Sequence, residues 1–139
     1  MNFDNETNIL VLAYLGDSVY ELFIRKYLID KGISKIDDLQ KEAIKYVSAY
    51  GQANFLNYLI QAKILNDNEL DIIRKGRNNK RRIHPKNTDI LTYKHSTGFE
   101  ALIGYLYIND KDRLNEILSY IKVLWLCIYM VKMLYMKNY

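Results

Sequence analysis

The sequence predicts an all-α fold, and three observations carry that prediction. Among 139 residues there is one proline, Pro85, and there are six glycines, so long uninterrupted helices are possible. Apolar residues recur at three- and four-residue spacing through most of the chain. The short alternating runs bounded by turn residues that mark strands are missing. Half of the residues are hydrophobic and 26 % are charged, a soluble globular composition that excludes the disordered and fibrous classes. The length suits one domain spanning 1–139 with a real core, and neither an internal repeat nor a low-complexity linker argues for more.

A first helix is expected from about Glu6 to Ile29, on a stripe of Ile9, Leu12, Leu15, Val19, Leu22 and Phe23. Gly32 stands just past its end, where a left-handed residue is cheap. A second runs from about Ile36, with Leu39, Ala43, Tyr46, Val47 and Tyr50 on one side and Gly51 as an interruption. A third carries Leu56, Leu59 and Ile60. The fourth begins after Asn66, a cap residue with Glu69 three positions on, and Gly76 is its expected stop. Asn87, Thr88 and Asp89 offer N-caps for the helix through Ile108, and Asn109 and Asp110 separate a last helix starting near Lys111.

Charge is distributed unevenly. The chain holds 20 basic and 16 acidic residues, net +4, yet eight Lys and Arg against the single acid Asp89 fall between Ile72 and His95. That window therefore carries +7 and the rest of the chain −3. A concentrated cationic strip attracts polyphosphate or anionic lipid, although such a run is also what a solvated loop looks like. The single cysteine, Cys127, excludes an internal disulfide and fits a reducing cytoplasm; the polar, acidic start MNFDNETN lacks the features of a signal peptide. His84 and His95 are the only histidines, and neither has zinc-ligand spacing; each suits a phosphate contact better. A Ser or Cys nucleophile scheme lacks support as well, since Cys127 lies in an apolar run that favours the inert thiol.

Two acids stand out because they interrupt apolar helical patterns. Asp17 follows Gly16 well inside the first helix, with Ala13 and Glu21 one turn either side. Glu21 has a ready partner in Arg25 and reads as structural. Glu100 admits two readings: Thr97 and Glu100 form a capping-box pattern if a helix starts there, whereas an earlier start puts Glu100 on one face with Tyr93, Thr97 and Gly104. Gly16 and Gly104 are poor helix residues, which suggests that two backbones approach closely and bring Asp17 and Glu100 within reach of one ion. Mg²⁺ prefers oxygen ligands and keeps several waters, so two carboxylates and a substrate phosphate suffice to hold it. Paired acids beside a cationic segment point to phosphodiester chemistry on a nucleic acid.

With those residues in view, the chain resembles the Mini-ribonuclease III family, short bacterial relatives of ribonuclease III without the double-stranded-RNA-binding domain. The matching segments are LAYLGDSVYELFIRKYL, KEAIKYVSAYGQA, RKGRNNK and PKNTDILTYKHSTGFEALIGYLYI, covering most of Leu12 to Ile108, with the domain itself extending to about residue 120. The resemblance implies a ribonuclease III endonuclease-domain-like helical fold, a homodimer that lays double-stranded RNA along a groove, and Mg²⁺-dependent cleavage of one strand at each of two sites. It places Asp17 on the aspartate of the LGD signature and Glu100 on the glutamate of the FEA signature, the metal-binding acids. Full ribonuclease III has two further acids where this chain has Ala13 and Thr97, a departure Mini-ribonuclease III shares. Maturation of the 23S ribosomal RNA precursor at its double-stranded stalk is implied too, with possible ribosomal-protein association.

The expected RNA footprint is Arg74, Lys75, Arg77, Lys80, Arg81, Arg82, His84, Lys86, Lys94 and His95, with Lys41 and Lys45 as weaker additions; an A-form duplex is read by shape, through phosphates and 2′-hydroxyls. A non-catalytic RNA-binding or ribosome-assembly module is the alternative, motivated by Ala13 and Thr97. The run VLWLCIYMV, Val123 to Val131, lies outside the resemblance. Lys132 follows it and Met133 to Met136 come after; nine residues are too short for a bilayer, which needs roughly 20, so a buried or partner-facing helix and no membrane partner are expected, with a helical dimerisation or membrane-surface protein built on this run as a further alternative.

Overall fold

The computed structural model describes residues 6–79 and 89–138. Six helices make up these residues: α1 (Glu6–Asp30), α2 (Ile36–Val47), α3 (Ala49–Gln61), α4 (Asp67–Arg77), α5 (Ile90–Asn109) and α6 (Lys111–Lys137). No strand occurs among them. Pro85 and the possible caps Asn87 and Thr88 lie outside the described residues.

Helix starts follow local hydrogen bonding. Asn66 accepts from the Glu69 backbone N–H at 2.9 Å while Glu69 accepts from the Asn66 N–H at 2.9 Å, a complete capping box at the head of α4. Asp89 caps α5 by accepting from the Thr92 N–H at 2.8 Å, and Asp110 caps α6 by accepting from Arg113 N–H at 3.0 Å. Because α5 starts at Ile90, Thr97 lies mid-helix and its hydroxyl donates to the Tyr93 carbonyl at 3.0 Å, so the capping-box reading of Glu100 is excluded. Gly32, at φ +96°, ends α1 as expected.

Two glycines act differently from the sequence expectation. The break between the second and third helices falls at Ser48, three residues before Gly51, because extended Ser48 caps α3 by accepting from the Gly51 N–H. Gly51 stays in the first turn of α3, where a Cβ would sit 2.3 Å from the Lys45 carbonyl oxygen. Gly76 does not stop α4. The helix runs through it to Arg77, and the missing side chain lets α4 lie directly on Gly98 of α5.

Helix α5 is the centre of the molecule: Ser96 to Gly104 are all buried, and α1, α3 and α4 pack around it. The aromatic node of this core is Tyr20, Phe55 and Phe99, from α1, α3 and α5, with the Tyr20 and Phe99 rings edge to face at 4.9 Å. The buried face of α1 runs through Ile9, Leu12, Ala13, Gly16, Tyr20, Ile24 and Leu28. The expected stripe was rotated from this one: Leu15, Val19 and Phe23 are only partly covered and Leu22 is 70 % exposed. The small residues Ala13 and Gly16 set the phase, since they admit α5 where larger side chains would hold it away.

An ion pair that the sequence did not announce joins α4 to α6. Arg113 donates from Nε and Nη2 to the Glu69 carboxylate, both at 2.8 Å, and from Nη2 to the Ile64 carbonyl at 2.7 Å. Burial pushes the Glu69 carboxyl up, but hydrogen bonds from Arg113 and the Asn66 backbone outweigh it and hold the group below its ordinary 4.5. Such a carboxylate adds stability that is complete at neutral pH and lost as pH falls through its depressed folded-state value. Arg113→Met is expected to cost about 3 kcal/mol by leaving the buried Glu69 carboxylate without its cation, measured by urea unfolding at pH 7. Stability of the parent should fall from about pH 5 downward more steeply than that of Glu69→Gln.

The C-terminal helix is sheltered by this chain only in its first half. Leu114, Ile117, Leu118 and Ile121 are buried, and Trp125 packs on Tyr46 with ring centroids 4.8 Å apart. Beyond them the helix leaves the body, with Leu126, Tyr129, Met130 and Val131 each more than half exposed and Cys127 exposed as well. The run is therefore not buried within this chain. It is also not limited to nine residues: an 18-residue window of α6 is long and apolar enough to cross a bilayer by composition, and only 17 % of that window is buried.

Candidate active site

The site is built on a contact between main chains. A Cβ placed on Gly16 would lie 1.8 Å from the Glu100 carbonyl oxygen, and one on Gly104 would lie 1.9 Å from the Leu12 carbonyl oxygen. No side chain separates α1 from α5 here, so the segment carrying Asp17 and the segment carrying Glu100 cross in direct contact. Glu100 is buried at 6 % exposure and Asp17, the residue after the contact, is exposed.

Around these two, the side chains are small or neutral. Ala13 and Thr97, where the resemblance marks a departure from the longer enzymes, are 0 % and 3 % exposed. Neither could take a carboxylate without new partners for it. Among the described residues no group of three or more His, Cys, Asp and Glu could hold a metal. A pair of carboxylates, the arrangement the sequence expects of Asp17 and Glu100, suits a hard ion that keeps waters and takes further oxygens from a phosphate, and does not suit zinc. Glu21 is occupied as expected, accepting from Arg25 at 2.7 Å.

A second glycine contact brings the basic end of α4 against α5. On Gly76 a Cβ would be 2.9 Å from the Gly98 Cα and 3.2 Å from the Thr97 carbonyl; on Gly98 it would be 2.6 Å from the Ile73 carbonyl. The last turn of α4, with Arg74, Lys75 and Arg77, is therefore clamped to the stretch of α5 that carries Glu100. Gly98 was not singled out from the sequence, although a glycine six residues before another inside one helix was the available signal. Arg74 and Lys75 share Asp71, at 2.7 and 3.2 Å, which holds that carboxyl below its usual range. The three together present about one net positive charge. Lys94 is exposed and His95 half-buried on α5, Lys41 is exposed on α2, and Lys45 pairs with Glu42. Lys80, Arg81, Arg82, His84 and Lys86 lie outside the described residues.

This helical domain, with Asp17 and Glu100 on the two helices of a glycine crossing and a basic helix end packed on α5, matches the family model of the Ribonuclease III domain over residues 10–111. Its class is thereby defined as that of ribonuclease III nucleases. Among curated proteins, the Mini-ribonuclease 3 of Symbiobacterium thermophilum is 46 % identical over 111 residues, 79 % of this chain and 84 % of the relative. That of Brevibacillus brevis is 49 % identical over 116 residues, 83 % and 85 % of the two chains. A crystal structure of a Fusobacterium nucleatum protein superposes with a TM-score of 0.71 at 29 % identity, covering 81 % of this chain and 89 % of that one. The chain belongs to the Mini-ribonuclease 3 family and is a ribonuclease III-type endoribonuclease acting on double-stranded RNA.

Proposed function

We propose that this chain cleaves double-stranded RNA by Mg²⁺-dependent hydrolysis at Asp17 and Glu100, as a homodimer working in the cytoplasm, and that it trims the duplex stalk of the 23S ribosomal RNA precursor. The observation that carries the reading is the α1–α5 crossing, where Gly16 meets the Glu100 backbone and both acids flank the contact. Enzymes of the family are generally divalent-metal dependent, and a two-carboxylate oxygen donor set fits such an ion. When bound, Mg²⁺ supplies charge stabilisation for the phosphoryl and leaving oxygens.

The chain's own residues do the rest. Asp17 and Glu100 hold the ion, and Arg74, Lys75, Arg77 and Lys94 with His95 hold neighbouring phosphates, joined by Lys80, Arg81, Arg82, His84 and Lys86. A water oxygen adds to phosphorus, the P–O3′ bond breaks, and the products are a 3′-hydroxyl and a 5′-phosphate. Dimerisation is supported by α1, which exposes Val11 at 46 %, Tyr14 at 81 % and Leu22 at 70 % on one side, a stripe that a second copy would cover. Tyr14 lies one turn from Asp17, so pairing there sets two active sites near the interface.

The test is a hairpin of about two helical turns, incubated with the protein in Mg²⁺ or in chelator. Cleavage with new 5′-phosphate ends in Mg²⁺ alone is expected; equal cleavage in chelator would exclude the metal role. Duplex affinity without a separate binding domain should be modest and fall steeply with salt. Arg77→Ala should weaken binding to all duplexes alike and flatten the slope of log K against log salt by about 1, read by filter binding at several salt concentrations.

A further inference from the structure

We propose that the second half of α6 is a lipid tether, which inserts into an anionic bilayer surface and holds the nuclease domain there. This inference does not depend on the assignment of the active-site acids. The helix leaves the body after Trp125, beyond the matched domain at residues 10–111, and its remaining turns carry exposed apolar side chains on three sides, with Lys132 and Lys137 between them. At 100° per residue, Met130 and Leu134 share one side, Val131 and Tyr135 a second, and Tyr129 and Met136 a third, each more than half exposed. A second copy of the chain would cover one of these sides and leave the others in water. A helix with apolar side chains on three sides calls for surroundings that envelop it, and lipid does so.

Charge selects the kind of lipid. From residue 117 to residue 139 there is no Asp or Glu, while Lys122, Lys132 and Lys137 recur at 10- and five-residue intervals. Lysine stems can lie along acyl chains while the ammonium reaches anionic headgroups, and Trp125, Tyr129 and Tyr135 are the residue types that sit at that boundary. Length decides between lying in one leaflet and spanning. The residues from 126 to 137 extend about 18 Å, well short of a 30 Å hydrocarbon core, so the tether lies along the interface of one leaflet, where its lysines reach headgroups, and does not cross. A core helix would pass the same composition test while mostly buried, whereas this window is 17 % buried.

The experiment uses the full chain and sedimentation with phosphatidylcholine vesicles, with or without 30 % phosphatidylglycerol. The parent is expected to pellet with the anionic vesicles. Replacing Leu126, Met130, Val131 and Leu134 with Ser should reduce its partition at least about a hundredfold. Lys132→Gln with Lys137→Gln should reduce it about tenfold or more on anionic vesicles only. All six positions are exposed, so thermal unfolding and duplex cleavage of both variants should match the parent; the pair Met130→Ser and Leu134→Ser serves if the larger set misfolds. A parent that stays in solution with both vesicle types overturns the proposal. Should it also lose mass by light scattering when the four apolar residues are replaced, a second copy covers the helix instead.

Discussion

Gly16→Ala and Gly104→Ala are each expected to destabilise the protein by about 3 kcal/mol or more and to abolish cleavage. The new methyl would lie 1.8 Å from the Glu100 carbonyl oxygen in the first case and 1.9 Å from that of Leu12 in the second. Both obstacles are main-chain atoms inside helices, which no rotamer change moves aside. Relief requires α1 and α5 to separate by more than an ångström along their most extensive packing surface, loosening the Tyr20 and Phe99 contact with it. Urea unfolding gives the stability loss directly. Gly32→Ala is the control: nothing lies within 4 Å of a Cβ there, so only the φ of +96° resists, at about 1 kcal/mol. If Gly16→Ala unfolds at the parent's urea midpoint, the crossing is not as tight as described.

Asp17→Asn is expected to lower single-turnover cleavage of duplex RNA at least about a thousandfold, the loss that several kcal/mol of transition-state charge stabilisation represents. The amide keeps the shape of the side chain and removes its charge. Because Asp17 is exposed, folding stability should change little, and duplex affinity in the absence of divalent ions should hold or rise as a negative charge leaves the RNA surface. That split separates loss of an ion ligand from loss of structure. Glu100→Gln should impair cleavage similarly, with an added stability effect, since Glu100 is buried. Cutting by Asp17→Asn at the parental rate would remove the proposed metal role.

Helix content and most helix starts were legible because they depend on local chemistry. Asn66 with Glu69, and Asp89 and Asp110, form their caps within four residues of sequence, where pattern and structure coincide. The close approach of Gly16 and Gly104 was legible too, since a glycine inside a helix is unfavourable unless something needs the space. What escaped were effects set by partners distant in sequence. Gly76 resembled a terminator because its neighbour Gly98 is 22 positions away, and Glu69 resembled a cap alone because Arg113 is 44 positions away. The rotated face of α1 escaped for the same reason: Leu22 and Tyr20 are equally plausible core residues until α3 and α5 take their places. Which of the two expected shelters the end of α6 takes, this chain or a partner, was not legible, because apolar sequence records a preference for leaving water and not the identity of what provides the shelter.

The two glycine crossings have a consequence for how this enzyme tolerates change. A separation fixed by touching main chains has a hard stop, unlike one fixed by interlocking side chains, whose sizes drift as residues are exchanged. Engineering that refills the surrounding interior should therefore raise or lower the melting temperature while leaving the distance between the two acids, and with it the choice of ion, where it was.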